Sequence, residues 1–519
     1  MADFPILEVA TLLPLLGAVV LLLIPERDEA AVRGWTFTTG VVTFLVTLPL
    51  YFGYDNAQGG FQFVSERNWL APLGAKLAFG VDGISLLLII LTAFLIPIMV
   101  LASWRGITKR VRSFHVAMLI MASAMIGAFA ARDLLLFFLF FEIQLVPMFL
   151  FIGVWGGEER VAAAIKFFIY TAFGSFLMLA ALIFVYVIAG KTFDMGAIDV
   201  ALAKLRAAPD SGFTPQVQFW LCLAFLIAFA IKIPAFPVHT WLPHAHVQAP
   251  TAGSVVLAAV MLKLGGYGFI RFCLPWFPDG LQHHAIGSLN LAGLMAVLGA
   301  IGVIYGALMA LAQQDLKRLI AYSSVSHMGI VVVGLFAGLS VPAREMVANG
   351  HARAVAGSVY QMLAHGLSTG ALFFLVGTIY DRRHTKAIAK LGGLARPAPM
   401  LATCFVIATL ASIAVPGTAG FVGEFLILLG TFENSKVLAA LSATGMILGA
   451  AYMLWAVQRV FFGPAEGENR TVEDLDGREL LGLIPLLALA ILMGLRPGPF
   501  LDKIEPAVMA LVSAPNLIH

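Results

Sequence analysis

Charge is what this chain lacks. Only 12% of its 519 residues are charged, while 60% are hydrophobic. A soluble domain carries about 25% charged residues, so this chain cannot cover a water-facing surface of its own size. That excludes a soluble enzyme, a nucleic-acid binder and a disordered chain. Cysteine is equally scarce. Cys222, Cys273 and Cys404 sit in or beside apolar runs without CxxC spacing, so neither a disulfide framework nor a thiolate metal site is indicated. A basic stretch before the first apolar run, residues 6–24, is also absent, and that run reads as a retained span rather than a cleaved signal. No stretch resembles a nucleotide-binding loop.

Long apolar runs are what remain. A crossing takes about 20 apolar residues, and the sequence predicts an all-α integral membrane protein of about fourteen transmembrane helices. These fall at 6–24, 34–53, 84–103, 114–131, 134–154, 165–189, 217–239, 250–271, 286–311, 317–339, 355–380, 400–432, 437–462 and 479–496. Gln62 to Ala78 alternates polar and apolar residues and reads as a surface hairpin, and Lys191 to Pro215 has interfacial character. Lys and Arg are denser in the connections that follow odd-numbered spans. By the positive-inside rule both termini then face the periplasmic or equivalent side.

Helices 7 and 12 are predicted to be discontinuous. The first holds Pro234 and Pro237, the second Pro416, Gly417 and Gly420. Proline removes a backbone donor and clashes with the preceding turn. The two breaks fall five helices apart, so helices 4–8 and 9–13 are expected to form two inverted five-helix repeats. Interrupted helices at corresponding positions are the best sequence pointer to a transport site. The expected organisation is an N-terminal three-helix region at 1–113, a first repeat at 114–271, a second at 272–463, and a last helix with a C-terminal tail at 464–519.

The few ionisable groups inside the spans carry the functional reading. An intramembrane charge costs about 2.5–3.5 kcal/mol on insertion scales, so those retained usually face a partner or a hydrated cavity. Glu142, Lys232, Lys263, His327, His365 and Glu424 stand out. Each has a plainer alternative: a carboxylic acid kept neutral by a hydrogen bond, a lysine snorkelling from a helix end, or a histidine bonding a neighbouring helix. Lys232 sits beside a proline break that frees backbone carbonyls. The two histidines have hydroxyl neighbours and an imidazole that titrates near neutrality. Together the groups read as a proton chain. A lysine keeps its proton while a carboxylate is near and releases it when that carboxylate withdraws. Lys263 and the histidines would pass the proton on, and Glu424 would receive it. His239, His244 and His246 surround Trp241, but no acidic or thiolate ligand clusters with them, so no metal site is expected. His239 is the best placed of the three to join Lys232.

Four stretches are specific enough to carry a resemblance. They are KIPAFPVHTWLPHAHVQAPTAGSVVLAAVMLKLGGYG at 232–268, WGGEERVAAAIKFF at 155–168, QQDLKRLIAYSSVSHMG at 313–329 and PGTAGFVGEF at 416–425. Together they resemble the signature of the antiporter-like subunits of respiratory complex I, and the similarity covers nearly the whole chain. Glu424, where the L and N types of that family typically carry lysine, sets this chain apart from them. So do FFEIQLVPMF and DGISLLL, and the absence of a long lateral helix after the last span. By that resemblance the central proton-path roles fall on Glu142, Lys232, Lys263 and Glu424, with His239, His327 and His365 as relay groups. His244 stands where relatives often carry an acid. The resemblance implies a proton-translocating membrane-arm subunit of NADH:quinone oxidoreductase. Its flavin, iron–sulfur clusters and quinone site would lie in partner subunits, and L- and N-type subunits would be its neighbours. A bacterial inner membrane is the expected location. The alternatives are a subunit of a multisubunit Na+/H+ antiporter, a membrane subunit of an energy-converting hydrogenase, and a scaffold that no longer conducts.

Overall fold

The computed structural model describes residues 5–208, 210–342 and 345–512. Thirteen of its helices are long and apolar enough to cross a membrane. In chain order the elements begin α1 (Ile6–Leu23), α2 (Glu29–Gly53), the hairpin β1 (Gln62–Leu70) and β2 (Ala75–Val81), α3 (Ser85–Ser103), α4 (Val111–Ala130), α5 (Leu134–Trp155) and α6 (Arg160–Ile188). Next come the amphipathic α7 (Met195–Ala207), α8 (Pro215–Lys232), the short α9 (Trp241–Gln248) and α10 (Thr251–Trp276). A small hairpin, β3 (His284–Ile286) with β4 (Leu289–Asn290), precedes α11 (Leu291–Leu311), α12 (Leu316–Ser340) and α13 (Ala348–Arg383). The chain continues through α14 (Pro399–Ser412), α15 (Ala419–Asn434), α16 (Lys436–Phe461), α17 (Gly477–Leu495) and α18 (Gly498–Val512).

The predicted twelfth span is the pair α14 and α15, each too short to cross alone, separated by a turn at Ile413–Thr418. The predicted seventh span likewise stops at Lys232, and residues 233–240 form turns before α9. The hairpin at 62–81 and the amphipathic helix at 195–207 stand where expected. The tail does not: α18 is a further helix beyond the last span, and residues 513–519 lie outside the described residues.

Both breaks have the same backbone pattern. Ile233 N–H donates to the Phe229 carbonyl and Ala235 N–H to that of Ala230; Ile413 and Val415 do the same to Thr409 and Leu410. A second motif also occurs twice. Leu134 and Met195 N–H groups bond to Phe193 and Arg132 carbonyls, clasping the start of α5 to the segment before α7. Leu316 and Ile388 bond in the same way to Lys386 and Gln314, at the start of α12. In each clasp an aspartate, Asp133 or Asp315, caps the helix that follows, satisfying an orphan N–H.

Burial is uneven and decides where the site lies. The most apolar windows of α10, α12 and α13 are 100% buried, against 39% for α6 and 33% for α16. Lys263, His327 and His365 therefore ride on the fully enclosed helices. Two buried ion pairs tie the shell together. Asp82, which also caps Ile84 and Ser85, holds Arg271 at the end of α10. Arg382 clamps Glu479 through two bonds of 2.9 and 2.7 Å. Gly83 lets α18 dock, since a Cβ there would overlap the Lys503 carbonyl.

Candidate functional site

The enclosed helices, with α15, bring four of the seven expected residues into one run. The Lys263 Nζ lies 2.6 Å from the Nδ1 of His365 and donates to the Ala258 carbonyl at 2.6 Å. The rings of His365 and His327 are 5.7 Å apart between centroids. The Nδ1 of His327 is 2.9 Å from the Oε1 of Glu424, and the Gln361 amide donates to the same oxygen at 3.0 Å. All four residues are less than 10% exposed.

Local structure explains how Lys263 reaches that position. Two π-helical turns, Leu257–Met261 and Phe269–Cys273, flank it within α10. A π-turn widens the helix and shifts its hydrogen-bond pairing, and such turns often mark functional sites. Here the first one leaves the Ala258 carbonyl to take the ammonium. Gly265 and Gly266 permit the close approach, because a Cβ on Gly265 would meet the Ile233 backbone N at 2.6 Å. The break of α8 is thus packed directly against the helix that carries Lys263.

Glu142, Lys232 and His239 form a looser second group. Glu142 is half-buried on α5, just before the helix breaks at Gln144. Glu142 and Lys232 feel each other's charge, but they make no ion pair within 4.0 Å among the described residues. The Lys232 ammonium instead sits 4.5 Å over the Phe141 ring, a cation–π contact, and has no hydrogen-bond partner among the described residues. His239 is 2% exposed, with its ring 5.7 Å from Phe236 and 5.1 Å from Tyr305. Neither of its nitrogens is bonded among the described residues.

Several residues escaped the sequence reading. Gln361 shares the Glu424 oxygen. Lys317 is 5% exposed at the start of α12 and donates to the Ala249 carbonyl at 2.6 Å, while Lys386 donates to that of Val247 at 2.8 Å. Both lysines therefore satisfy carbonyls at the end of α9, where the helix dipole favours cations. They line a cavity of about 150 Å³ with Gly106, Gln248, Tyr380 and Asp381. His246 is fully buried behind it, stacked on Phe373 at 4.4 Å, and within electrostatic reach of Lys317 and Lys263. Lys317 did not stand out because it is at the very edge of its apolar run. No cluster of metal-ligating side chains occurs among the described residues.

Comparison with known proteins gives the family. A family model described as NADH:quinone oxidoreductase/Mrp antiporter, TM, matches residues 131–449. One described as NADH-ubiquinone oxidoreductase chain 4, amino terminus, matches residues 30–128. The NADH-quinone oxidoreductase subunit M of Rhodobacter capsulatus is 46% identical over 98% of this chain and 96% of its own. The chain belongs to the subunit M family of NADH-quinone oxidoreductase. Chain 4 of the Arabidopsis thaliana NADH-ubiquinone oxidoreductase is 42% identical, over 96% of both chains. A chain of respiratory complex I from Thermus thermophilus superposes with a TM-score of 0.85 at 33% identity, covering 99% of this chain and 100% of that one. A chain of the Mrp complex from Dietzia, at 19% identity and TM-score 0.81 over 99% and 98%, shares the fold alone. Family membership makes this a multi-span membrane-arm subunit of a proton-translocating oxidoreductase that works with other subunits of its complex.

Proposed function

We propose that this subunit carries one proton channel of the membrane arm, built on Lys263, His365, His327 and Glu424. The supporting observation is the run itself: two contacts within 3 Å and, between them, one pair of neighbouring imidazoles that a water would join, all enclosed by protein. Groups within hydrogen-bond reach pass protons directly or through one water. The cavity at Lys317 supplies uptake from one membrane face, and His246 bridges it to Lys263. Glu142 and Lys232 form the responsive pair. With no direct ion pair holding them, a small displacement transmitted along the arm changes their interaction, and His239 links them to the break. The duplicated break and the duplicated clasp support two inverted repeats, 114–271 and 272–463, around this path.

In this reading both termini face the periplasm of a bacterial inner membrane, and L- and N-type antiporter-like subunits flank the chain. Flavin, iron–sulfur clusters and the quinone site reside in other partners. Glu142→Gln and Lys232→Ala test the reading in membrane vesicles, with NADH-driven proton translocation measured beside NADH oxidation. Loss of translocation with the complex assembled is expected. Normal translocation in both variants would remove the pair from the mechanism.

A further inference from the structure

Resting on the channel reading above, we propose that Asp381 is the carboxylate through which protons enter this chain, passing them from an open vestibule into the cavity at Lys317. Asp381 stands two residues before the end of α13. On one side of it lies a vestibule of about 720 Å³, walled by Arg105, Arg382, Arg383, His384, Glu468 and Glu479. On the other lies the cavity of about 150 Å³ that reaches Lys317 and Lys386. Three residues line both spaces: Gly106, Tyr380 and Asp381. They form the neck between the two, and Asp381 is its one carboxylate. The neck is narrow there, since a Cβ on Gly106 would lie 3.4 Å from an Asp381 carboxylate oxygen.

The Asp381 carboxylate is partly buried, and it makes neither a hydrogen bond nor an ion pair among the described residues. The acids around it are placed differently. Glu479 takes two bonds from Arg382, and Glu468 is held by Arg383. Glu473 is exposed at the rim of the vestibule. Asp315 caps Arg318 and lines neither space. Asp381 lies within electrostatic reach of Lys317, and of Glu479, Arg382, Arg478 and His384. It thus repeats the pattern of Glu142 and Lys232: an acid and a lysine that feel each other's charge without a direct ion pair. The inner cavity, lined by an ammonium, the Gln248 amide and the Thr251 hydroxyl, is polar and large enough for several waters. A carboxylate with its lone pairs unspent takes a proton from hydronium in the vestibule, forming one O–H bond. It then gives that proton to water in the inner cavity and returns to the anion. The walls of both spaces come from connections that follow odd-numbered spans, so in the orientation proposed above entry is from the cytoplasm.

The decisive variants are Asp381→Asn, which keeps the shape and removes the titratable group, and Asp381→Glu, which keeps the group. They are studied in the assembled complex in inverted vesicles, whose cytoplasmic face meets the medium. NADH-driven proton translocation is followed from mildly acidic to mildly alkaline medium. Without the carboxyl the cavity draws on hydronium directly, and that supply falls as pH rises. Asp381→Asn should therefore slow translocation about tenfold or more in alkaline medium, with a smaller deficit in acid, and Asp381→Glu should retain most of it. Wild-type translocation in Asp381→Asn would overturn the proposal. So would a deficit that is equal at every pH, or one that Asp381→Glu shares in full, since either marks a packing role. If Asp381→Asn does not assemble, Gly106→Leu decides, because it fills the neck from an exposed position and leaves the carboxylate in place. Slowed translocation there supports entry at this neck, and a wild-type rate overturns it. Lys263→Met separates the levels. Lost translocation there with intact Asp381→Asn translocation rejects the entry residue and spares the channel, whereas normal translocation in Lys263→Met rejects the channel reading itself.

Discussion

Replacing His327 by leucine cuts the run at its narrowest link. The imidazole bonds Glu424 at 2.9 Å and lies 5.7 Å, ring to ring, from His365. Without it, no hydrogen bond among the described residues carries His365 on to the carboxylate, and direct transfer needs a reach of roughly 2.6–3.2 Å. Leucine nearly conserves the volume, so no large cavity opens. Glu424 keeps its bond from Gln361 at 3.0 Å, and the structural cost is about 1–3 kcal/mol, that of one lost buried bond. The kinetic cost is larger. A positioned proton-transfer group contributes about 10²–10⁴-fold, or about 3–5 kcal/mol of barrier. Proton translocation by His327→Leu vesicles should therefore fall at least about a hundredfold, while NADH oxidation by an artificial acceptor ahead of the membrane arm stays unchanged. Translocation within a factor of two of wild type would refute the assignment of His327.

Other outcomes follow from single contacts. Glu424→Lys places an ammonium opposite His327 and removes the acceptor for Gln361; quinone-coupled turnover should drop, and unchanged turnover would show that no acid is needed there. Asp82→Ala strands Arg271 and uncaps α3, costing about 3–5 kcal/mol, readable as lost assembly into the complex on native gels. Gly83→Ala should lever α18 off the bundle, and faster proteolysis within 498–512 would report it. Asp476 caps α17 in a reciprocal box with Glu479. Partial burial pushes its carboxyl up, but the Glu479 N–H, Arg478 and Arg105 outweigh this and leave it below the usual carboxylate range. Its contribution is therefore full above the unfolded value, about 4, and fades as pH falls through the lower folded one. Asp476→Ala should lower thermal stability in detergent by about 1 kcal/mol at pH 7, with a smaller difference at pH 3.

The spans were legible because hydrocarbon permits little else than long apolar helices, and the breaks because Pro234, Pro237, Pro416 and Gly417 interrupt them. The rare ionisable groups point to the proposed site for the same reason. Sequence could not show which of them touch. The Lys232 ammonium sits over Phe141 rather than in an ion pair with Glu142, a detail no sequence pattern announces. The Lys263–His365 contact depends on two π-turns that an apolar run does not announce. Lys317 was hidden by its place at a span edge, and Gln361 by being uncharged. The helix α18 stands where only a tail was expected. Its burial comes from tertiary docking on Gly83, which no local pattern encodes.

Lys263 contacts His365 directly, and the helix that carries it packs against the break of α8 through Gly265. The most direct measurement is the number of protons moved per NADH oxidised by Lys263→Met vesicles, with assembly verified. A severed channel gives a ratio lower than wild type, or oxidation that stalls for want of proton transfer. A wild-type ratio at a wild-type rate would contradict a proton path through Lys263, His365, His327 and Glu424.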